Sequence, residues 1–246
     1  MGVRLYVAVA RPLAAGQEID LPEAAARHAQ VRRVQPGERL VLFDGSGLEW
    51  PAEVLSIGRR SVRVALGDAV AVDREAALAV TLAVCVPANE RMDALVEKAC
   101  ELGAAAIQPL LAERNVLRLE GERAERRRGH WQSIAAAACE QCGRARVPEV
   151  APLRTLEAWL AAPPPADARW LLSLADEAQA IRSTPKPAPR PAHGVLVLSG
   201  PEGGLTEAEQ GAARAAGFVP VSLGPRVLRA DTAPLAALTW LTLGTS

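Results

Sequence analysis

Val195-Leu196-Val197-Leu198-Ser199 runs directly into Gly200-Pro201-Glu202-Gly203-Gly204, and Val219-Pro220-Val221-Ser222-Leu223 runs into Gly224-Pro225-Arg226-Val227-Leu228-Arg229. A short apolar run halted by Gly-Pro reads as a buried strand with a sharp stop. Each loop then opens a helix. Thr206 and Glu209 stand at capping-box spacing at the head of Thr206–Ala216, and Asp231–Leu243 follows the second loop. Strand, loop and helix repeated in this way imply a parallel α/β sheet, in which ligands bind beyond the carboxyl ends of the strands. Glycines at that place let the backbone approach a ligand and expose its N–H and C=O groups, which can read an adenine edge without a charged side chain. Two tight turns with no further purpose are the plain alternative. Two Gly-Pro loops one βα unit apart, both at strand ends, favour a shared pocket.

Upstream, the same alternation continues. Ala77–Val86, Ala106–Leu111 and Trp170–Leu174 read as strands, and Asn89–Leu102, Glu122–Cys142 and a helix starting at Thr155–Leu160 read as helices. Met92, Leu95, Val96, Ala99 and Leu102 form one apolar stripe, stopped by Gly103. Pro185–Pro191 reads as a surface loop. The first seventy residues follow a different rule. Arg4–Ala10, Arg39–Phe43, Leu48–Leu55 and Ser61–Leu66 are short strands, with Asp44-Gly45 as a hairpin signal and Pro22–Val34 as a helix. This pattern predicts a small β-barrel over 1–70, a linker over Gly67–Ala76 and an α/β domain over 77–246.

Of 246 residues, half are hydrophobic and 23% charged, with 28 basic and 28 acidic side chains. That balance excludes a tail-driven nucleic-acid binder but leaves room for a local RNA-gripping patch. Lysine occurs only as Lys98 and Lys186; a GC-rich genome is the simpler cause of such an arginine bias. No apolar stretch reaches the roughly 18 residues of a membrane span, and Met1–Leu13 has no signal-peptide core, so a cytoplasmic protein is expected. Cys139 and Cys142 form C-x-x-C, but no second ligand pair stands at zinc spacing. A helix placing both sulfurs on one face accounts for them, and no metal is expected. Neither glycine loop is G-x-G-x-x-G, and no P-loop motif is present. His28, His130 and His193 form no triad by spacing.

The two loops resemble the cofactor loops of the ribosomal small-subunit uridine N3-methyltransferases, the RsmE family of the SPOUT superfamily. The likeness extends to Glu90-Arg91-Met92, Glu97-Lys98-Ala99-Cys100-Glu101-Leu102-Gly103, Ile107-Gln108-Pro109-Leu110, Glu113-Arg114, Glu140-Gln141-Cys142-Gly143-Arg144 and Val147-Pro148. Near the start it takes in Pro36-Gly37 and Phe43-Asp44-Gly45-Ser46-Gly47. The resemblance implies a PUA-like N-terminal β-barrel and a C-terminal trefoil-knotted methyltransferase domain that forms a homodimer. It further implies S-adenosylmethionine-dependent methylation of N3 of uridine 1498 of 16S rRNA in the assembled small ribosomal subunit. Leu198, Gly200, Pro201, Glu202, Gly203 and Gly204 would meet the cofactor from the first loop, and Leu223, Gly224, Leu228 and Thr232 from the second. Three departures stand out: Ala230-Asp231-Thr232-Ala233 replaces the family's usual Thr-Glu-Thr-Ala, Asn115 replaces a Ser or Thr, and Arg27-His28 with Val31-Arg32-Arg33 replaces a His-His pair and Val-Leu-Arg.

Uracil N3 carries an imide proton and is a poor nucleophile, so the enzyme must position N3 and remove its proton. Arg229 is the candidate for stabilising the deprotonated base, and Asp231 the candidate proton acceptor. Asp231 equally fits a helix-capping acid. His28, Arg33 and Arg144 are the candidates for RNA contact, since guanidinium suits phosphate. Arg126, Arg127 and Arg128 read first as a solvated helix face. A non-catalytic RNA binder, or a methyltransferase acting on a ribose hydroxyl or another base, is the competing reading; bound S-adenosylmethionine would separate an enzyme from a pure binder.

Overall fold

A computed structural model describes residues 2–8, 12–88, 91–185, 187 and 192–243. The chain divides into two compact units, Met1–Glu75 with Ala136–Val147, and Ala76–Ala135 with Pro148–Ser246.

The first unit is built on strands β1 (Val3–Tyr6), β2 (Glu18–Asp20), β3 (Arg39–Phe43), β4 (Leu48–Ile57), β5 (Val62–Leu66) and β6 (Val70–Ala71), with helix α1 (Glu23–Val31). They form a six-stranded sheet in the order β1-β3-β4-β5-β2, with β6 on β4. The β3–β4 connection is tight because Asp44 Oδ1 accepts from Ser46 N at 2.9 Å, and Gly45 and Gly47 supply φ of 90° and 98°. Alternation along β5 buries Val62, Val64 and Leu66, which share a core with Leu5, Leu40, Leu42, Trp50 and the alanine face of α1. The segment expected as a linker is partly structured: Val70–Ala71 pairs with Leu48–Glu49. Beyond it, Glu75 binds Arg144, while Glu49 holds both Arg4 and Arg74. Val9 and Ala10, expected to close the first strand, lie outside the described residues.

The second unit carries β7 (Val80–Cys85), α2 (Arg91–Glu101), β8 (Ala106–Leu111), α3 (Gly121–Cys142, whose last turns belong to the first unit), β9 (Glu149–Val150), β10 (Arg154–Thr155) and α4 (Leu156–Leu160). After these come β11 (Ala168–Leu172), β12 (Gln179–Ala180), β13 (Val195–Ser199), α5 (Glu207–Ala215), β14 (Val219–Ser222) and α6 (Thr232–Thr242). All its strand pairs are parallel, in the order β10-β8-β7-β13-β11-β14-β12, with β9 also on β8. Strands covered on both faces should be apolar throughout, and β13 is buried at every residue. Trp159 of α4 and Phe218 pack with ring centroids 5.7 Å apart on one side. On α6, Leu238 and Leu241 are buried, the helix packs on β7 and β13, and Thr242 Oγ1 donates to Leu102 O at 2.8 Å. The helix expected from Asn89 is described from Arg91, with Asn89 and Glu90 outside the described residues; so are Lys186 and most of the Pro185–Pro191 loop. No described helix is long and apolar enough to cross a membrane.

Candidate functional site

Strand order decides where the two glycine loops meet. β11 lies between β13 and β14 in parallel register, Leu171 beside Leu198 and Leu172 beside Val221. The loops after β13 and β14 therefore rise on either side of the end of β11. Together they enclose a cavity of about 590 Å³, within the usual size for a small-molecule site. Its walls are Ser199–Glu202, Gly204 and Leu205 from the first loop, Leu223 and Arg226–Ala230 from the second, and Leu171–Ala175 between them.

The first loop is braced from three directions. Thr206 caps α5, with Glu209 N donating to its hydroxyl at 3.2 Å and Thr206 N donating to Glu209 Oε2 at 2.9 Å. The other oxygen of Glu209 accepts from Glu113 N at 2.8 Å, and Arg114 donates to Gly203 O at 3.1 Å. Glu202 turns its carboxylate to Ala88 N at 2.9 Å and Arg91 at 3.3 Å. Glu113-Arg114 is thus a clamp on the loop. Asn115, the departure beside it, is 5% exposed; it accepts from Ala112 N at 2.7 Å and donates to Val86 O at 2.6 Å, tying the ends of β7 and β8. Behind the loop, burial and then the charge of Glu209 push the Cys85 thiol well above its ordinary range.

The glycines of this loop differ in purpose. Gly204 has φ of 68° and open space where a Cβ would stand, which admits a ligand close to the backbone. A Cβ on Gly203 would instead press on Arg114 Cβ at 3.1 Å. Gly203 contacts the clamp and is absent from the cavity wall, so filling it would disturb the loop rather than occupy ligand space. Leu198, Gly224 and Thr232 are likewise outside the wall, while Gly200, Pro201, Glu202, Gly204, Leu223 and Leu228 are in it.

The second loop has few internal bonds. Gly224 N donates to Ser222 Oγ at 3.2 Å, and Arg229 O accepts from Thr232 N and Ala233 N, both at 3.0 Å. Arg229 is exposed at the cavity and makes no ion pair among the described residues. Asp231 precedes α6 with helical φ and ψ of −83° and −30°, and its side chain caps nothing. Its Oδ1 is buried with no hydrogen-bond partner. The capping alternative therefore loses its geometric basis. A buried, unsatisfied carboxylate oxygen is costly, and such an atom commonly marks a place for a ligand or a proton.

The loop after β11, Leu172-Ser173-Leu174-Ala175, is a wall that sequence reasoning did not assign. It carries no glycine or proline signal, and only the strand order reveals it. Gln210 was missed for the same reason, whereas Arg226 stands inside the second Gly-Pro loop but was given no role there.

The RNA-contact candidates all lie in the first unit. His28 Nδ1 stands 2.9 Å from Glu140 Oε2 and its side chain is 37% exposed. Arg33 is exposed. Arg144 departs from expectation: its side chain is 6% exposed and its guanidinium is engaged by Glu75. It braces the first unit instead of offering a cation. Within the same helix end, a hydrogen bond with Cys139 and then burial raise the Cys142 thiol above its ordinary range.

Residues 74–242 match the family model for an RNA methyltransferase domain, and residues 21–66 that for an RNA methyltransferase PUA domain. Ribosomal RNA small subunit methyltransferase E of Synechocystis is 35% identical over 97% of this chain and 76% of its own length; that of Bacillus subtilis is 32% identical over 85% and 82%. Among solved structures, small subunit methyltransferase E of Neisseria gonorrhoeae, bound to S-adenosylmethionine, superposes with a TM-score of 0.89 at 37% identity over 98% of this chain and 96% of that one. A methyltransferase of Legionella pneumophila in complex with the same cofactor gives 0.91 at 32% identity over 98% and 97%. With its PUA-like first unit and its α/β second unit, the chain belongs to the RNA methyltransferase family that contains the small-subunit ribosomal RNA methyltransferases E.

Proposed function

We propose that the protein methylates N3 of uridine 1498 of 16S rRNA, with S-adenosylmethionine as donor. The observation that carries this reading is the convergence of the two glycine loops and the end of β11 on one cavity, with Arg229 in its wall. Bound S-adenosylmethionine supplies an electrophilic methyl on a sulfonium. The residues present fit it: Leu171, Leu223 and Leu228 offer apolar contact, while Gly204 allows close backbone approach.

The rest of the chemistry belongs to the side chains. The N3–carbon bond forms as the sulfur–carbon bond breaks, and the imide proton must leave N3. Arg229 stabilises the negative charge that grows on the uracil ring as this happens. Asp231, next to the wall residue Ala230 in sequence, accepts the proton. Both act on the transition state more than on the ground state.

The assembled small subunit is the proposed substrate. Residues 1–70 serve RNA recognition and 77–246 catalysis. A homodimer is proposed from α6, where Trp240 remains 38% exposed although Leu238 and Leu241 are buried. A trefoil knot in the second unit is proposed from the family alone. The proposed location is the cytoplasm.

The test is nucleoside mass spectrometry of rRNA after purified protein and S-adenosylmethionine act on small subunits from a strain lacking this gene. The expected product is 3-methyluridine at position 1498. Methyl transfer to a ribose or to another base would overturn the assignment, and no transfer would favour a pure binder.

A further inference from the structure

Arg33 is the one residue other than glycine with positive φ among the described residues, at 56°. It stands just past α1, where Arg33 N donates to Gln30 O at 2.9 Å and Val34 N to Ala29 O at 3.2 Å. Glycine fills such a position without strain, whereas a side chain costs roughly 1 kcal/mol there. An arginine held in this conformation calls for a reason outside the helix.

A second observation lies on a different element. Gln30 Nε2 donates to Gly58 O at 2.9 Å, which joins the end of α1 to the turn between β4 and β5. Gly58 N donates to Ser61 O at 2.8 Å and closes that turn, so Arg59 and Arg60 sit at its tip. Arg32, Arg33, Arg59 and Arg60 are all exposed, and none makes an ion pair among the described residues. Of the acids near them in sequence, Glu23 is paired with Arg27 and Glu18 with Arg63, while Glu38 and Glu53 are exposed and make no ion pair with these arginines among the described residues.

We propose that Arg32, Arg33, Arg59 and Arg60 form one phosphate-binding surface for folded ribosomal RNA. The proposal rests on the reading of the protein as an rRNA methyltransferase. Cations at a helix C-terminus also complement the helix dipole, but that effect is small and confined to the last turn. It does not account for the two arginines of the turn or for the strained backbone at Arg33. Four guanidinium groups on two elements joined by the Gln30–Gly58 bond can engage several phosphates at once, which a single flexible cation cannot.

The test measures binding of the full-length protein to unmethylated small subunits across a salt series. The double variant Arg59→Gln/Arg60→Gln should bind about tenfold more weakly and flatten the log–log salt slope by about 2. Arg33→Gly should flatten it by about 1 while leaving the melting temperature unchanged or higher, because glycine relieves the backbone strain. In turnover, both should raise KM and leave kcat. Arg214→Gln, which removes a charge already paired with Glu177 in the second unit, should leave the slope alone. A parental slope in the double variant would overturn the proposal, and so would a lower melting temperature for Arg33→Gly with unchanged binding, which would make Arg33 structural. Loss of binding to a polyglutamate probe with RNA binding intact would assign the surface to an acidic protein and overturn it too. Failure of the parent protein to bind or methylate small subunits would strike the function reading itself.

Discussion

The two glycine loops begin alike, Ser199-Gly200-Pro201 and Leu223-Gly224-Pro225, yet the fold treats them differently. The first is held by Arg114 on Gly203, by Glu113 N on Glu209, by the capping box of Thr206 and by Glu202 on Ala88. The second has Gly224 on Ser222 Oγ and the first turn of α6, and leaves Val227 80% exposed and Arg229 without an ion pair among the described residues. One loop is a fixed wall, whose backbone shape must exist before the ligand arrives. The other presents side chains to whatever enters. Binding energy from the first should therefore appear in cofactor affinity, and energy from the second in turnover.

Arg229→Ala breaks this contrast most severely. Turnover on small subunits should fall roughly a hundredfold or more, while S-adenosylmethionine affinity measured by calorimetry stays within a few-fold. Arg229→Lys should recover part of the loss, since a point charge lacks the planar fork. A large loss of cofactor affinity would instead move Arg229 into the cofactor wall. Next in size, Asp231→Asn should lower turnover by roughly tenfold to a hundredfold without lowering the melting temperature. Unaltered turnover would remove Asp231 from proton transfer.

Arg114→Ala tests the other loop. It should weaken S-adenosylmethionine binding about tenfold, or about 1.4 kcal/mol, and depress kcat less than either second-loop variant. Equal losses in binding and kcat would show that the two loops are not separable. Smallest is a pair of alanine substitutions. Gly204→Ala strains a left-handed backbone and should cost about 1 kcal/mol, a fall of roughly 2–4 °C in melting temperature. Gly203→Ala asks Arg114 to shift and should cost a few-fold in cofactor affinity with less effect on melting. The opposite ranking would mean that Gly203 is the position a ligand needs open.

Much of the second unit was legible in the sequence because its strands are buried on both faces. Val195–Ser199 and Ala106–Leu111 have the boundaries their apolar runs predict. The two-residue strands at Val70, Glu149, Arg154 and Gln179 were not, since two residues carry no period. Glu18-Ile19-Asp20 was missed because a sheet-edge strand can remain polar. In the site, glycine and proline marked two of the three walls, but the end of β11 has no such marker and depends on which strands are neighbours. Arg144 misled for a related reason: its partner, Glu75, is 69 residues away, and a sequence does not show which arginines are already engaged. Asp231 could be narrowed only by its dihedral angles and its orphaned oxygen.

The bond from Thr242 Oγ1 to Leu102 O joins residues 140 positions apart, and through it α6 covers β7 and α2. On the ribosome this has a consequence in time. The strand that opens the second unit is synthesised long before the helix that buries it, so its apolar face must wait while the intervening elements emerge. Closure of that unit is thus a late event governed by non-local contacts, which fold slowly and leave hydrophobic surface open to aggregation meanwhile. Substitutions at the far end of α6, remote from the cavity, should therefore show first in the yield of soluble protein rather than in the activity of the molecules that succeed in folding.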